Sequence, residues 1–191
     1  KQPMNRIIRP IFAVTQVTFR ELLREKILWS SYVFALLCVG LAYVVSRLSF
    51  AENARVALDF GLTAIALVGG LIAIVAGAVL IAREVENRTV YLILSKPISR
   101  WQFIVGKLLG LQLVLTLNAI LMIFSLSVIF LLSGGHLEIT LLKCFVLQLT
   151  EFYVLAAIAS VFSAFSTSTF STIVVSSVWV IGHAMQDLKL F

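Results

Sequence analysis

The sequence predicts an all-α fold, a polytopic transmembrane helix bundle, and three observations carry that reading. Hydrophobic residues make up 61% of the 191-residue chain and charged residues only 13%, whereas about a quarter of a soluble domain is charged. The apolar residues gather into runs that exceed what one core hides from water, so the excess must face lipid. The net charge of +6 is concentrated beside those runs, in the blocks Lys1 to Lys26 and Arg83 to Lys107, as helical membrane proteins mark their cytoplasmic side. A nucleic-acid-binding protein carries a basic stripe on a soluble fold; none is visible, so nucleic acid is not an expected partner. The length fits a single domain, 1–191, with no second, catalytic one.

The first element is an amphipathic helix at about 10–26. Wound at 100° per residue, Ile8, Ile11, Phe12, Thr15, Phe19, Leu22 and Leu23 share one face. Arg9, Arg20, Glu21 and Arg24 share the other, with Val17 as the exception. Pro10 suits the first turn. A helix with an apolar stripe and an arginine face lies in the membrane interface; the plainer alternative is a charged leader. Its amphipathic character argues against a cleavable secretory signal.

Five apolar stretches follow, near 28–47, 61–82, 108–132, 141–164 and 172–186. Four are long enough to cross a hydrocarbon layer of about 30 Å as helix, the one open-chain form that satisfies its own backbone in lipid. The fifth is shorter and leads into Gln186, Asp187 and Lys189. Either it is a span that ends early, or a sixth span lies beyond this sequence. On the second span Gly69, Ala73 and Gly77 recur every fourth residue, a spacing that lets helix backbones approach closely. The partner helix is from the same chain or from a second copy.

Charge sets the topology. Lys1, Arg6, Arg9, Arg20, Arg24 and Lys26 precede the first span, and Arg83, Arg88, Lys96, Arg100 and Lys107 lie between the second and third. The opposite loops, near 48–60 and 133–140, are short and hold few basic residues. The N-terminus and the 83–107 segment are therefore expected in the cytoplasm.

That segment is the most informative part of the chain. Val90–Leu94 fits a short helix closed by Pro97, since the residue before proline disfavours helix. Ser99 and Gln102 have the spacing of a capping box, so a new helix should begin at Arg100. A helix–break–helix elbow results, a rigid feature for a soluble partner to push on. Glu84, Glu86, Thr89, Leu92, Leu94, Ser95, Lys96, Pro97, Ser99, Arg100 and the later Gly106-Lys107 give the chain a family likeness. It resembles the permease subunits of type-2 ABC transporters, in the branch of nitrous-oxide-reductase maturation and gliding-motility permeases. Arg88 stands where that family often has Gly, and Val85 where a basic residue is common.

The resemblance implies a prokaryotic inner-membrane protein, multi-pass with a cytoplasmic N-terminus, working as a homodimer on two copies of an ABC ATPase. The segment would be the coupling helix, with Arg83, Glu84, Glu86, Arg88, Thr89, Tyr91, Lys96, Pro97, Ser99 and Arg100 at the joint. ATP and Mg would bind in the ATPase; this chain would hold no cofactor, no metal and no catalytic residue. Motion would move a substrate or drive an extracytoplasmic partner protein. A non-transporting membrane scaffold is the rival from another class, and an intramembrane enzyme a weaker third.

Other signals are set against that reading. Leu132-Ser133-Gly134-Gly135-His136 looks like the signature of ABC ATPases but follows an apolar span, and its glycines serve a turn. Gly106-Lys107 lacks the other residues of a phosphate loop. Glu151 is the one carboxylate deep in a span; either it has a functional role or it is a protonated acid bonded to a neighbouring helix. Gln112 and Asn118 are expected to hydrogen-bond between helices. Cys38, Cys144, His136 and His183 read as packing or loop residues, and the run Ser166 to Thr172 as backbone capping.

Overall fold

The computed structural model describes residues 3–24, 29, 32, 33, 36, 37, 40, 44, 53–86, 99–132 and 139–188. Among them the chain forms five α-helices and no strand: α1 (Pro3–Leu23), α2 (Asn53–Glu86), α3 (Arg100–Leu132), α4 (Ile139–Phe165) and α5 (Ser168–Leu188). Four hold stretches long and apolar enough to cross a membrane: Leu58–Ala82, Trp101–Val128, Leu141–Phe165 and Ser168–Met185. Of the stretch 28–47, Trp29, Tyr32, Val33, Leu36, Leu37, Gly40 and Val44 are described, all helical; the rest, with Cys38, lies outside the described residues, as does Ser133 to His136.

At 1.5 Å per residue the 34 residues of α2 and the 33 of α3 each reach about 50 Å, well beyond a hydrocarbon layer of about 30 Å. The overhang of α2 past Ala82 is polar, carrying Arg83, Glu84 and Glu86. Large apolar side chains point outward along the spans, among them Leu113, Phe124, Leu147, Val161 and Val178. In water these would be a liability; in lipid they are solvated.

α1 corrects one expectation. It begins at Pro3, and Pro10 lies inside it rather than in its first turn. An interior proline removes one amide donor, the one that would reach the carbonyl four residues back, at Arg6; Pro3 takes the first-turn place that suits proline. The helix closes at Leu23, with the Arg24 amide donating to the Glu21 carbonyl at 3.1 Å.

The described chain divides into two compact units. One takes Lys1–Thr18, Ala73–Leu111 and Tyr153–Phe191. In it Ala73, Ile74, Ala78 and Ala159 have no exposed surface, because small residues let the helices touch backbone to backbone. A Cβ on Gly77 would stand 2.5 Å from the Ala156 carbonyl oxygen. The Ser163 hydroxyl donates to the Ala78 carbonyl, and the Ser171 hydroxyl to the Ala159 carbonyl at 2.9 Å. Part of the Ser/Thr run thus ties α5 to α4, while the Thr167 carbonyl accepts the Ser171 amide at 3.0 Å.

The other unit takes Phe19–Ile72 and Gln112–Phe152. Here Gly61 faces Leu126, and Gly69 faces the ring of Phe152, which a Cβ would meet at 2.2 Å. The Gln148 amide donates to the Leu62 carbonyl at 2.9 Å, and Tyr32 and Ser125 hydroxyls stand 3.4 Å apart. Many remaining hydroxyls bond their own helix four residues back, as Thr63, Thr116, Ser127 and Thr150 do. That gives each of them an acceptor on its own helix.

Candidate functional site

The sequence places the site at 83–107, and the structure describes its two ends. α2 stays helical through Arg83, Glu84 and Glu86. Residues 87–98, with Arg88, Thr89, Tyr91, Lys96 and Pro97, lie outside the described residues, as do the side chains of Arg83, Glu84, Glu86 and Arg100.

The start of α3 is built by two reciprocal hydrogen bonds. The Ser99 amide donates to Gln102 Oε1 at 3.1 Å, and the Gln102 amide donates to Ser99 Oγ at 3.3 Å. This is the capping box the spacing predicted, and it begins the helix at Arg100. The Phe103 amide adds a bond to the Ser99 carbonyl at 3.2 Å. Replacing Ser99→Ala is expected to cost about 1 kcal/mol of stability, read as a lower Tm in detergent. Because the bonds are reciprocal, Ser99→Ala with Gln102→Ala should cost less than the sum of the two. Strict additivity would remove the box as a unit.

Two turns further along, α1 rests on α3. A Cβ on Gly106 would lie 2.8 Å from Val14 Cβ and 3.0 Å from the Ile11 carbonyl oxygen. On Gly110 it would lie 2.7 Å from Thr18 Cβ and 3.0 Å from the Thr15 carbonyl oxygen. The pair forms a Gly-x-x-x-Gly notch, the spacing at which two helices come into backbone contact. Into it fit Thr15 and Thr18, 7% and 2% exposed. The Thr15 hydroxyl stands 2.9 Å from the Ile11 carbonyl and 3.1 Å from the Gly106 carbonyl and donates to both. Between the glycines Lys107 is buried, its Nζ 5.3 Å from the centre of the Phe103 ring, a cation–π distance. The first turns of α3 are therefore fixed twice, by a cap at the end and by a clasp along the side.

Sequence reasoning missed the clasp. The available signal is the four-residue spacing of Gly106 and Gly110. The contact with α3 takes only part of the expected apolar face of α1: Ile11 and Thr15 turn towards the notch together with Thr18, while Phe12 is 68% exposed.

The intramembrane candidates are spread over the fold. Gly69 and Gly77 face α4 residues of the same chain, and Ala73 between them is fully buried. Glu151 is half-buried in α4 beside exposed Thr150. The Asn118 side-chain oxygen is buried with no hydrogen-bond partner, so the expected interhelical bond is not made by that atom. Gln148, bonded to Leu62, makes one instead. His183 packs edge-on against Trp179, ring centres 5.0 Å apart, and Cys144 is a free thiol. Among the described residues no three His, Cys, Asp or Glu side chains converge on a metal position.

A family model for ABC-2 family transporter proteins matches residues 12–186, a stretch that holds the notch, the 83–107 segment and every candidate span. A search of curated proteins finds no significant match.

Proposed function

The chain belongs to the ABC-2 transporter family, and from that premise we propose that it takes ATP-driven motion at residues 83–100 and passes it into α3. It is a multi-pass membrane protein and the permease of an ABC transporter, whose ATPase is its partner. ATP and Mg bind in that separate subunit, and this chain, no enzyme itself, holds no cofactor. Two copies of the permease stand on two of the ATPase in a prokaryotic inner membrane. Basic residues put the N-terminus and the 83–107 segment in the cytoplasm, and α1 lies in the membrane interface. The output moves a substrate or drives an extracytoplasmic partner, as in the nitrous-oxide-maturation and gliding-motility branch that the segment resembles.

The observation that carries this reading is the capped start of α3. A charged segment that ends in a reciprocal cap and enters an unbroken helix of 33 residues delivers a push as tilt rather than as bending. Glu84, Glu86, Arg88 and Arg100 supply the groups for charge-assisted contacts with the ATPase. The test is co-purification with candidate ATPase subunits, followed by ATPase assay with and without this chain. Reversing Glu84→Lys and Glu86→Lys is expected to weaken the complex at least about tenfold while leaving membrane insertion intact. Wild-type affinity and turnover in that variant would take both carboxylates out of the joint.

A further inference from the structure

α1 presents three faces, and the notch of α3 takes one of them. Ile11, Val14, Thr15 and Thr18 turn towards the notch, the two threonines buried and the other two half-buried. At 100° per residue, Phe12, Phe19 and Leu23 form a second face, with Phe12 68% exposed. The third holds Arg9, Arg20 and Arg24, all exposed, with exposed Ala13 and Gln16 among them. From Arg9 to Arg24 this face runs about 22 Å along the helix. Glu21, the acidic side chain described on α1, projects about 100° from Arg20 and about 60° from Arg24, so it borders this face at its C-terminal end and offsets one of its three charges there.

We propose that the Arg9, Arg20 and Arg24 face binds anionic phospholipid headgroups, so that membrane charge holds the helix that clasps the start of α3. The proposal rests on the placement of α1 in the interface, and it adds the lipid class. Phe12 lies next to the arginines around the helix, and an exposed ring beside a guanidinium row suits the boundary between acyl chains and phosphates. Trp101 is 72% exposed and Ile104 43% in the first turns of α3, where aromatic and apolar side chains mark a membrane edge. Hydrocarbon covers these groups together with Phe12. Planar guanidinium groups pair with phosphate oxygens through two hydrogen bonds at once, and the attractions of several basic residues to an anionic surface add.

The full-length chain is purified with equal phosphatidylglycerol and phosphatidylcholine, and the retained lipids are counted by native mass spectrometry. Wild type is expected to prefer phosphatidylglycerol. At low salt the preference should fall about fivefold for each of Arg9→Gln, Arg20→Gln and Arg24→Gln, with Tm close to wild type because all three side chains are exposed. A triple variant that keeps the full preference overturns the proposal. The placement is read separately by an environment-sensitive fluorophore at Phe12→Cys, in a chain carrying Cys38→Ala and Cys144→Ala. Lipid-like emission in nanodiscs is expected; water-like emission overturns the placement and the proposal with it. Lipid-like emission without any phosphatidylglycerol preference overturns the lipid-charge assignment alone. If instead the ATPase subunit loses affinity for the triple variant and no lipid preference is seen, the face belongs to an acidic protein surface.

Discussion

Gly77→Ala is expected to destabilise the chain, although alanine is the better helix former. The two effects oppose each other, and their sizes decide. Removing glycine from a helix interior gains about 1 kcal/mol, while overpacking a tight contact costs about 1–3 kcal/mol. The new Cβ would stand 2.5 Å from the Ala156 carbonyl oxygen, 3.0 Å from its Cα and 3.1 Å from its carbonyl carbon. All three are backbone atoms of α4, which move only if the helix moves, so the cost belongs at the upper end of that range. A net loss of about 1–2 kcal/mol should appear as a lower Tm in detergent. Gly182→Ala is the matched control, because nothing lies within 4 Å of its Cβ position and only the propensity gain remains. Gly69→Ala separates side chain from backbone. Its obstacle is the Phe152 ring, at 2.2 to 2.9 Å, so Phe152→Leu should recover part of its loss. Equal Tm values for Gly77→Ala and Gly182→Ala would show that α2 and α4 do not approach as closely as described.

What was legible in the sequence depended on which force selected each residue. Lipid selects apolar character over whole turns, so the helical class and the spans could be read from runs of Leu, Ile, Val and Phe. Orphan amides select capping side chains at fixed spacing, and Ser99 with Gln102 announces the start of α3 at Arg100. Helix clasps select for small size, which hydropathy does not report. Thr15 and Thr18 are moderately polar residues on a helix expected to turn its large apolar side chains to the membrane interface. They are buried because a threonine fits over a glycine and a phenylalanine does not. For the same reason Gly69, Ala73 and Gly77 are recognisable by spacing while Gly106 and Gly110 are less so: the former stand in a run without charge, the latter on either side of Lys107. Asn118 marks a different limit, because whether a buried amide finds a partner depends on helix rotation, which periodicity alone does not fix.

The clasp itself yields the second large effect. Thr18→Cys, made in a chain with Cys38→Ala and Cys144→Ala, is expected to resist a maleimide, since Thr18 is 2% exposed under α3. Adding Gly110→Leu should make it react. A leucine at that position drives its Cβ towards Thr18 Cβ and the Thr15 carbonyl, now 2.7 and 3.0 Å away, and the rest of the side chain has no space between the helices. Overpacking worth about 1–3 kcal/mol shifts the clasp towards its open form by roughly fivefold to 150-fold, and the labelling rate should rise in proportion. Gly106→Leu should act alike through Val14 and Ile11. Thr15→Val keeps the shape and removes the hydroxyl's bonds to the Ile11 and Gly106 carbonyls; only the second joins the two helices, worth about 0.6 kcal/mol between membrane helices, so the rate should rise no more than about threefold. The ordering leucine far above valine states that steric fit, not the hydrogen bond, holds α1 to α3. A valine variant that labels as fast as the leucine variant would reverse that assignment. Because these substitutions leave residues 83–100 intact, co-purification with the ATPase subunit should persist in all of them, which keeps the clasp and the proposed ATPase contact experimentally distinct.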